Sequence, residues 1–327
     1  MKSESVYISW VDTGMLRFVI VFVSGMKKLT LVMFNSLKIR CDMPYQFNVG
    51  SVVMPLKKFL KKRKRLLAIT NYFYYWALNF GLDIPKFLAI WRFPGVVREF
   101  FIIKKLNNDN ASGWKIKFSM PSLFDMYERS GVASGHYFHQ DLLVAQRIFE
   151  LEPEKHVDIG SSVGSFVAHV ATFREIEVLD IRGLVSKTPN IIFRQCDFTR
   201  LPDDLVGYCD SVSCLHALEH FGLGRYGDTL DIDGHLRGFD SLHKILKPDG
   251  TLHLSFPVGT ERIEFNAHRV FALKTPLEWA KGRFKLIGFS YVDDEGDLHK
   301  DVTLDAAALS NNFNLDYGCG IYEFRKI

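Results

Sequence analysis

From Ser130 onward the chain alternates between short apolar runs and stretches with helical spacing, and no other feature of the sequence constrains the fold as strongly. Strand signals fall at residues 156–164, where the run ends in a glycine-containing turn, and at 176–181, 191–196, 210–215 and 251–257. Helical spacing appears in Leu142, Leu143, Ala145, Ile148 and Phe149, and again over 166–173 and 236–246. Lys247-Pro248-Asp249-Gly250 reads as a turn. Alternation of this kind predicts a parallel sheet with helices on both faces, since parallel neighbours must be joined by a crossover. Two later candidates, 285–292 and 320–324, would add an antiparallel edge.

The N-terminal part differs in character. Residues 1–118 are apolar and basic, with few acids, and Lys57, Lys58, Lys61, Lys62, Arg63, Lys64 and Arg65 form the densest charge run. An uncharged, aromatic-rich segment follows at 66–82, with Tyr72, Phe73, Tyr74, Tyr75 and Trp76. A spanning helix needs roughly 20 mostly apolar residues. This segment is shorter and is interrupted by Asn71, Asn79 and Gly81. Tyr and Trp beside Lys and Arg suit a membrane interface, and the same segment would also serve as a buried helix. The basic run lacks interleaved aromatics and the net charge is only +4, which disfavours nucleic acid as a partner.

The first fifty residues show no clear period, and Met54, directly before the basic run, is a candidate start. The apolar run at 18–23 is too short to span a bilayer and no small-residue cleavage site follows it. Five cysteines, Cys41, Cys196, Cys209, Cys214 and Cys319, form no C-x-x-C pair. Odd in number, they argue against a zinc ribbon or a disulfide framework and fit a reducing cytoplasm. The two regimes divide the chain into a basic, apolar, helical N-terminal extension (1–118) and an α/β domain (119–327). The extension is a candidate for peripheral contact with the inner membrane face through 57–82.

The turn Val157-Asp158-Ile159-Gly160-Ser161-Ser162-Val163-Gly164 closes the first strand of the α/β domain. Glycine here lets the backbone turn tightly and approach a ligand, at the sheet end where open α/β sheets bind. Asp180 closes the second strand about 20 residues on, the spacing of a ribose-binding acid. Asp197, after the third, would accept a hydrogen bond from an adenine amino group. Three acids at successive strand ends fit a neutral nucleoside better than a pyrophosphate, which they would repel. The turn also lacks the G-x-G-x-x-G spacing of a nicotinamide site.

After the fourth strand comes Leu215-His216-Ala217-Leu218-Glu219-His220-Phe221-Gly222. If it opens a helix, His216, Glu219 and His220 share one face and would bind a divalent metal given a fourth ligand, for which His268 is the candidate. Alternatively Glu219 and His220 brace a helix and one histidine acts as a base without metal. Arg225, in the glycine-rich stretch 222–228, is a candidate clamp for an anionic group on an acceptor. His136, in Ser134-Gly135-His136-Tyr137-Phe138-His139-Gln140-Asp141, would contribute to a lid at a helix start, which Ser134 or Asp141 could cap. Asp228, Asp231 and Asp233 lack the spacing and closing Glu of a calcium loop.

Taken together, Asp158, Gly160, Gly164, Asp180, Asp197 and Lys247-Pro248-Asp249-Gly250 resemble, in order and spacing, the class I S-adenosylmethionine (SAM)-dependent methyltransferases. The resemblance covers residues 130–327 and implies a Rossmann-like seven-stranded sheet with helices on both faces, and SAM as cofactor. Cofactor contacts would fall to Asp158, Gly160, Ser162, Gly164, Asp180 and Asp197. Ser162 stands where that family has its middle glycine.

The His216, Glu219, His220 and His268 set resembles the Glu-x-x-Glu-His signature, with a later His, of metal-dependent O-methyltransferases, with His216 in place of the first Glu. An imidazole-rich set leans from magnesium towards zinc, iron or manganese. From about Gly81 the chain is also similar to an uncharacterised family of nematodes and bacteria, on Ser134 to Asp141, His216 to Asp228 and Glu264 to Phe271. That likeness implies a sugar or lipid-linked glycan intermediate of surface-polysaccharide synthesis as acceptor. On the reading of the residues themselves, Glu219, His220 and His268, with His216, would activate the acceptor hydroxyl with or without metal, and Arg225 and His136 would contact the acceptor. A non-catalytic membrane-associated scaffold and an RNA 2′-O-methyltransferase are the rival expectations.

Overall fold

The computed structural model of the protein describes residues 6–12, 17–23, 30–33, 73–74, 76–111, 113–127 and 130–327. The basic run at 57–65 and Met54 lie outside the described residues, as do Tyr72 and Tyr75. The chain divides into two compact units, Met1–Met126 and Tyr127–Ile327.

In the first unit, β1 (Val6–Asp12), β2 (Arg17–Val23) and β3 (Thr30–Met33) form an antiparallel sheet. The extension is therefore not wholly helical. The sequence RFVIVFV is a continuous β-branched and aromatic run, which favours a strand but carries no alternation to reveal it. Helices α1 (Ile84–Leu88) and α2 (Phe93–Asp109) follow. Among the described residues no helix is long and apolar enough to cross a membrane.

The second unit is an α/β domain of the Rossmann-like class. Its strands are β4 (His156–Ile159), β5 (Ile176–Asp180), β6 (Ile191–Gln195), β7 (Cys209–Leu215), β8 (Leu246–Val258), β11 (Phe284–Val292), β12 (Leu298–His299) and β13 (Gly318–Lys326). Their order is β12-β11-β13-β8-β7-β4-β5-β6. Eight strands stand where seven are expected, the extra one being the two-residue β12. Strands β4 to β8 pair in parallel, whereas β13 enters antiparallel between β8 and β11. A separate hairpin joins β9 (Arg262–Glu264) to β10 (His268–Val270). Residues 247–250 do not leave the sheet as a turn but are absorbed as a bulge of β8, where Cys209 pairs with Leu246 and Ser211 already with Thr251.

Alternate side chains separate the two faces. On β5, Ile176 and Val178 pack beneath α3 (His136–Leu151) with its Leu143, Val144 and Ile148. Leu179 and the β8 residues Leu252, Leu254 and Phe256 meet Phe239, Leu242 and Ile245 of α4 (Gly234–Ile245) on the other face. Strand order reverses at β4, whose neighbours are β5 and β7. Their carboxyl ends frame the crevice where sheets of this kind take ligands.

Candidate active site

Beyond β4 the backbone turns at Gly160, with φ of 77°, and a Cβ there would sit 3.0 Å from that of Ala217. Both facts require glycine. Asp158 fixes this turn from below. Its carboxylate accepts from the Ser161 amide (3.1 Å), the Ser161 hydroxyl (3.0 Å) and the Ser213 hydroxyl of β7 (2.6 Å). It is fully buried, and burial pushes its carboxyl up to about 7 against the pull of those donors. Asp158 does not line the crevice, contrary to the convergence of three acids expected there. Ser162 and Gly164 also stay away from it: the chain enters a wide π-turn at Val163–Val167 and both residues face solvent.

The crevice is walled by Gly160, Asp180, Asp197, His216, His220 and Tyr226 among others. Two carboxylates thus reach it from adjacent strand tips. Asp180 accepts from the Arg182 amide (2.8 Å), Nε (3.0 Å) and Nη2 (2.6 Å). The Arg182 guanidinium also lies 4.5 Å over the Tyr226 ring. Asp197 Oδ1 accepts from the amide (3.0 Å) and hydroxyl (2.7 Å) of Thr199, leaving Oδ2 for a ligand.

The opposite wall carries the imidazoles of His216 and His220, with those of His268 and His136 packed near them. His216, at the end of β7, adopts a left-handed backbone with φ of 48°, and a 3-10 turn at Leu218–His220 follows instead of an α-helix. The expected helical face is absent, because that left-handed residue and the positive φ of Gly222 leave room for one tight turn only. His216 and Glu219 still meet, with Nδ1 2.8 Å from Oε1, and His220 Nε2 lies 3.8 Å from the same oxygen. His220 Nδ1 donates to the Ala267 carbonyl in the β9–β10 connection at 2.6 Å. Arg225 donates to the same carbonyl (3.2 Å), so it is tied to backbone.

His268 opens β10, its ring 6.3 Å from His220 and 5.3 Å from Tyr317. His136 opens α3, whose N-terminus is held by the Gly135 amide and Ser134 hydroxyl on the Gly296 carbonyl (2.9 and 3.0 Å). Its ring stacks on His216 at 5.2 Å and on Tyr317 at 5.4 Å.

Burial sets most of the charges here. It lowers His136 to about 4, with help from His216, and it lowers His220 and His268. For His216 burial also acts downward, but the Cys319 sulfur and the Glu219 carboxylate outweigh it and raise the ring to about 10. Burial would raise Glu219, and its pairing with His216 reverses the sign. A buried imidazolium–carboxylate pair therefore sits among neutral imidazoles.

The metal set implied by resemblance does not converge. Glu219 joins His216 and approaches His220, but the four groups present no common cage. Among the described residues, the group of metal-competent atoms lying within 4.8 Å of one another is His136, His216 and Cys319.

Arg269 and Cys319 carried no role in the sequence reading. The Arg269 guanidinium is buried and donates to the carbonyls of Glu219 (3.2 Å), Phe221 (2.7 Å) and Ile232 (2.9 Å). It closes the loop that carries Arg225, Tyr226 and Asp228, but nothing local in the sequence distinguishes it from a surface arginine. Cys319 is buried on β13 beside Pro257 of β8 and Val292 of β11, a placement that only the antiparallel insertion produces.

Residues 175–316 match the family described as Caenorhabditis protein of unknown function, DUF268. No curated protein matches the chain. Among solved structures it is similar to the [4+2]-cyclase SpnF, at 15% identity and a TM-score of 0.40 over 60% of this chain and 88% of that one. The N-methyltransferase NodS of Bradyrhizobium japonicum, in complex with S-adenosyl-L-homocysteine, gives 13% and 0.38 over 59% and 88%. The 1,6-didemethyltoxoflavin-N1-methyltransferase of Burkholderia thailandensis gives 12% and 0.39 over 72% and 89%.

Proposed function

We propose that this chain is a SAM-dependent O-methyltransferase whose acceptor is a hydroxyl of a sugar or lipid-linked glycan intermediate. The observation that carries the reading is the pair of carboxylates, Asp180 and Asp197, opening with Gly160 into one crevice at the switch point of the sheet. Two acids at that spot suit a neutral ribose and adenine and repel a pyrophosphate. The ribose hydroxyls take the place that Arg182 holds on Asp180, and Asp197 Oδ2 receives the adenine amino group.

His220 supplies the base. A carbonyl can only accept, so Nδ1 must be the protonated nitrogen, and the neutral ring offers the Nε2 lone pair. The acceptor oxygen attacks the methyl carbon, the C–S bond breaks with its electron pair left on sulfur, and the hydroxyl proton moves to Nε2. Tyr226 and the exposed Tyr137 supply ring faces of the kind a sugar packs against. The exposed Phe73, Phe80 and Trp91 support peripheral contact with a lipid surface, and the free cysteines Cys196, Cys209, Cys214 and Cys319 fit a cytoplasmic setting.

Calorimetric titration with S-adenosylhomocysteine tests the cofactor step. Binding is expected, and Asp180→Asn should weaken it roughly 10-fold or more through loss of charge-assisted hydrogen bonds. The Arg182–Asp180 contact also favours a second reading, a scaffold whose ribose site is permanently filled by its own arginine. No heat at millimolar ligand would establish that reading and end the first.

A further inference from the structure

We infer that the polar cluster behind the His216 wall of the crevice binds a zinc-type divalent cation through His136, His216 and Cys319, with Glu219 orienting His216 from its other nitrogen. His216 is the centre of the case. Its Nδ1 is committed to Glu219 at 2.8 Å, so only Nε2 can ligate, and Nε2 is buried with no nitrogen or oxygen partner and faces the Cys319 sulfur. An imidazole locked by a carboxylate on one nitrogen and without a nitrogen or oxygen partner on the other is the arrangement that orients a histidine towards a metal.

What faces it is soft and convergent. Cys319 is wholly buried, and besides facing the His216 ring its sulfur makes long contacts, 3.8 Å to Gln140 Oε1 and 3.8 Å to the Gly320 carbonyl. His136 stacks on His216 with the two planes 12° apart. The three donor atoms lie within 4.8 Å of one another. Bonds of about 2.0–2.3 Å to a tetrahedral ion would require them to close by only about 1 Å. Two nitrogens and a sulfur select zinc over magnesium or calcium.

Three protein ligands leave a fourth position open, the pattern of a catalytic rather than a structural site. Glu219 Oε2 and His268 Nε2 are further buried atoms without partners near this group. The ligands come from α3, the end of β7 and β13, so the site exists only in the folded chain. The existence of the cation site is independent of the methyl-transfer reading. Only its role, polarising the acceptor oxygen, rests on that reading. On binding, the cation displaces two protons to solvent, the Cys319 thiol proton and the Nε2 proton of the His216 imidazolium, while Nδ1 keeps its proton on Glu219.

The test is titration of the full, chelator-stripped chain with Co²⁺ and then Zn²⁺. We expect about one equivalent, with a thiolate-to-cobalt charge-transfer band and the intense visible bands of tetrahedral cobalt, displaced by Zn²⁺. Cys319→Ser should erase the charge-transfer band, and His136→Asn, at the half-buried helix end, should weaken binding about 100-fold. Glu219→Gln should weaken it about 10- to 100-fold while keeping the band. Circular dichroism of each metal-free variant verifies its fold.

Substoichiometric binding at micromolar metal, an octahedral spectrum without the thiolate band, or a Cys319→Ser protein that binds like the parent would overturn the assignment. S-adenosylhomocysteine calorimetry on the metal-free chain separates the two claims. Cofactor binding without metal removes the cation site alone, and metal binding without cofactor removes methyl transfer alone.

Discussion

Arg269→Met is expected to destabilise the domain by about 4 kcal/mol, measured as a fall in the urea midpoint with an unchanged m-value. The guanidinium satisfies three backbone carbonyls at once, those of Glu219, Phe221 and Ile232. Methionine fills much of the same volume but donates nothing, so the buried acceptors are left to water that cannot reach them. Each such loss costs about 1–3 kcal/mol. Lysine should recover only part, since an ammonium cannot fork towards three carbonyls in the plane a guanidinium spans.

The surrounding chain cannot rearrange to compensate. A Cβ at Gly222 would run into the Asp231 carbonyl oxygen, and one at Gly234 would lie 2.8 Å from the Gly222 backbone. The loop is packed at its neck, where the Asp228 carboxylate also accepts from the Gly222 amide (2.7 Å), and Arg269 alone reaches the three carbonyls. A loss below about 1 kcal/mol would show that the three bonds are not structural.

Asp158→Asn should flatten the dependence of stability on pH. In the unfolded chain this carboxyl titrates near 3.8, whereas burial raises it to about 7 in the folded protein. Between those values the folded state holds a proton that the unfolded state has lost, so stability falls as pH rises through the window. The expected loss from Asp158 between pH 4 and pH 8 is about 4 kcal/mol. Asparagine carries no charge at either pH, and the Ser161 and Ser213 hydroxyls can accept from its amide as readily as they donate. Urea unfolding at both pH values, for both proteins, isolates the effect. Parallel profiles would mean that Asp158 is ionised throughout.

Much of the architecture was legible because strand tips write themselves into sequence. Gly160, Asp180 and Asp197 each follow an apolar run, and chemistry at the end of a parallel strand has nowhere to face but the crevice. Asp158 broke the pattern because it sits inside β4 with Ser213 opposite, a cross-strand partner that no local reading supplies. The nearness of His216 and Glu219 was anticipated for the wrong geometric reason: a left-handed residue and a 3-10 turn, not a helical face, bring them together. His136 and Cys319 come from opposite ends of the domain sequence, and their meeting with His216 depends on sheet order. Strand β2 was hidden because its run over 18–23 is apolar on every residue and shows no period.

The entry of β13 between β8 and β11 has a consequence for biosynthesis. Both flanking strands leave the ribosome before the one that separates them, so each waits with a row of unpaired amides and carbonyls. During that interval the nascent chain offers two adhesive borders and one empty slot. Until β13 fills that slot, a matching strand from a second nascent copy would find the same two borders open to it.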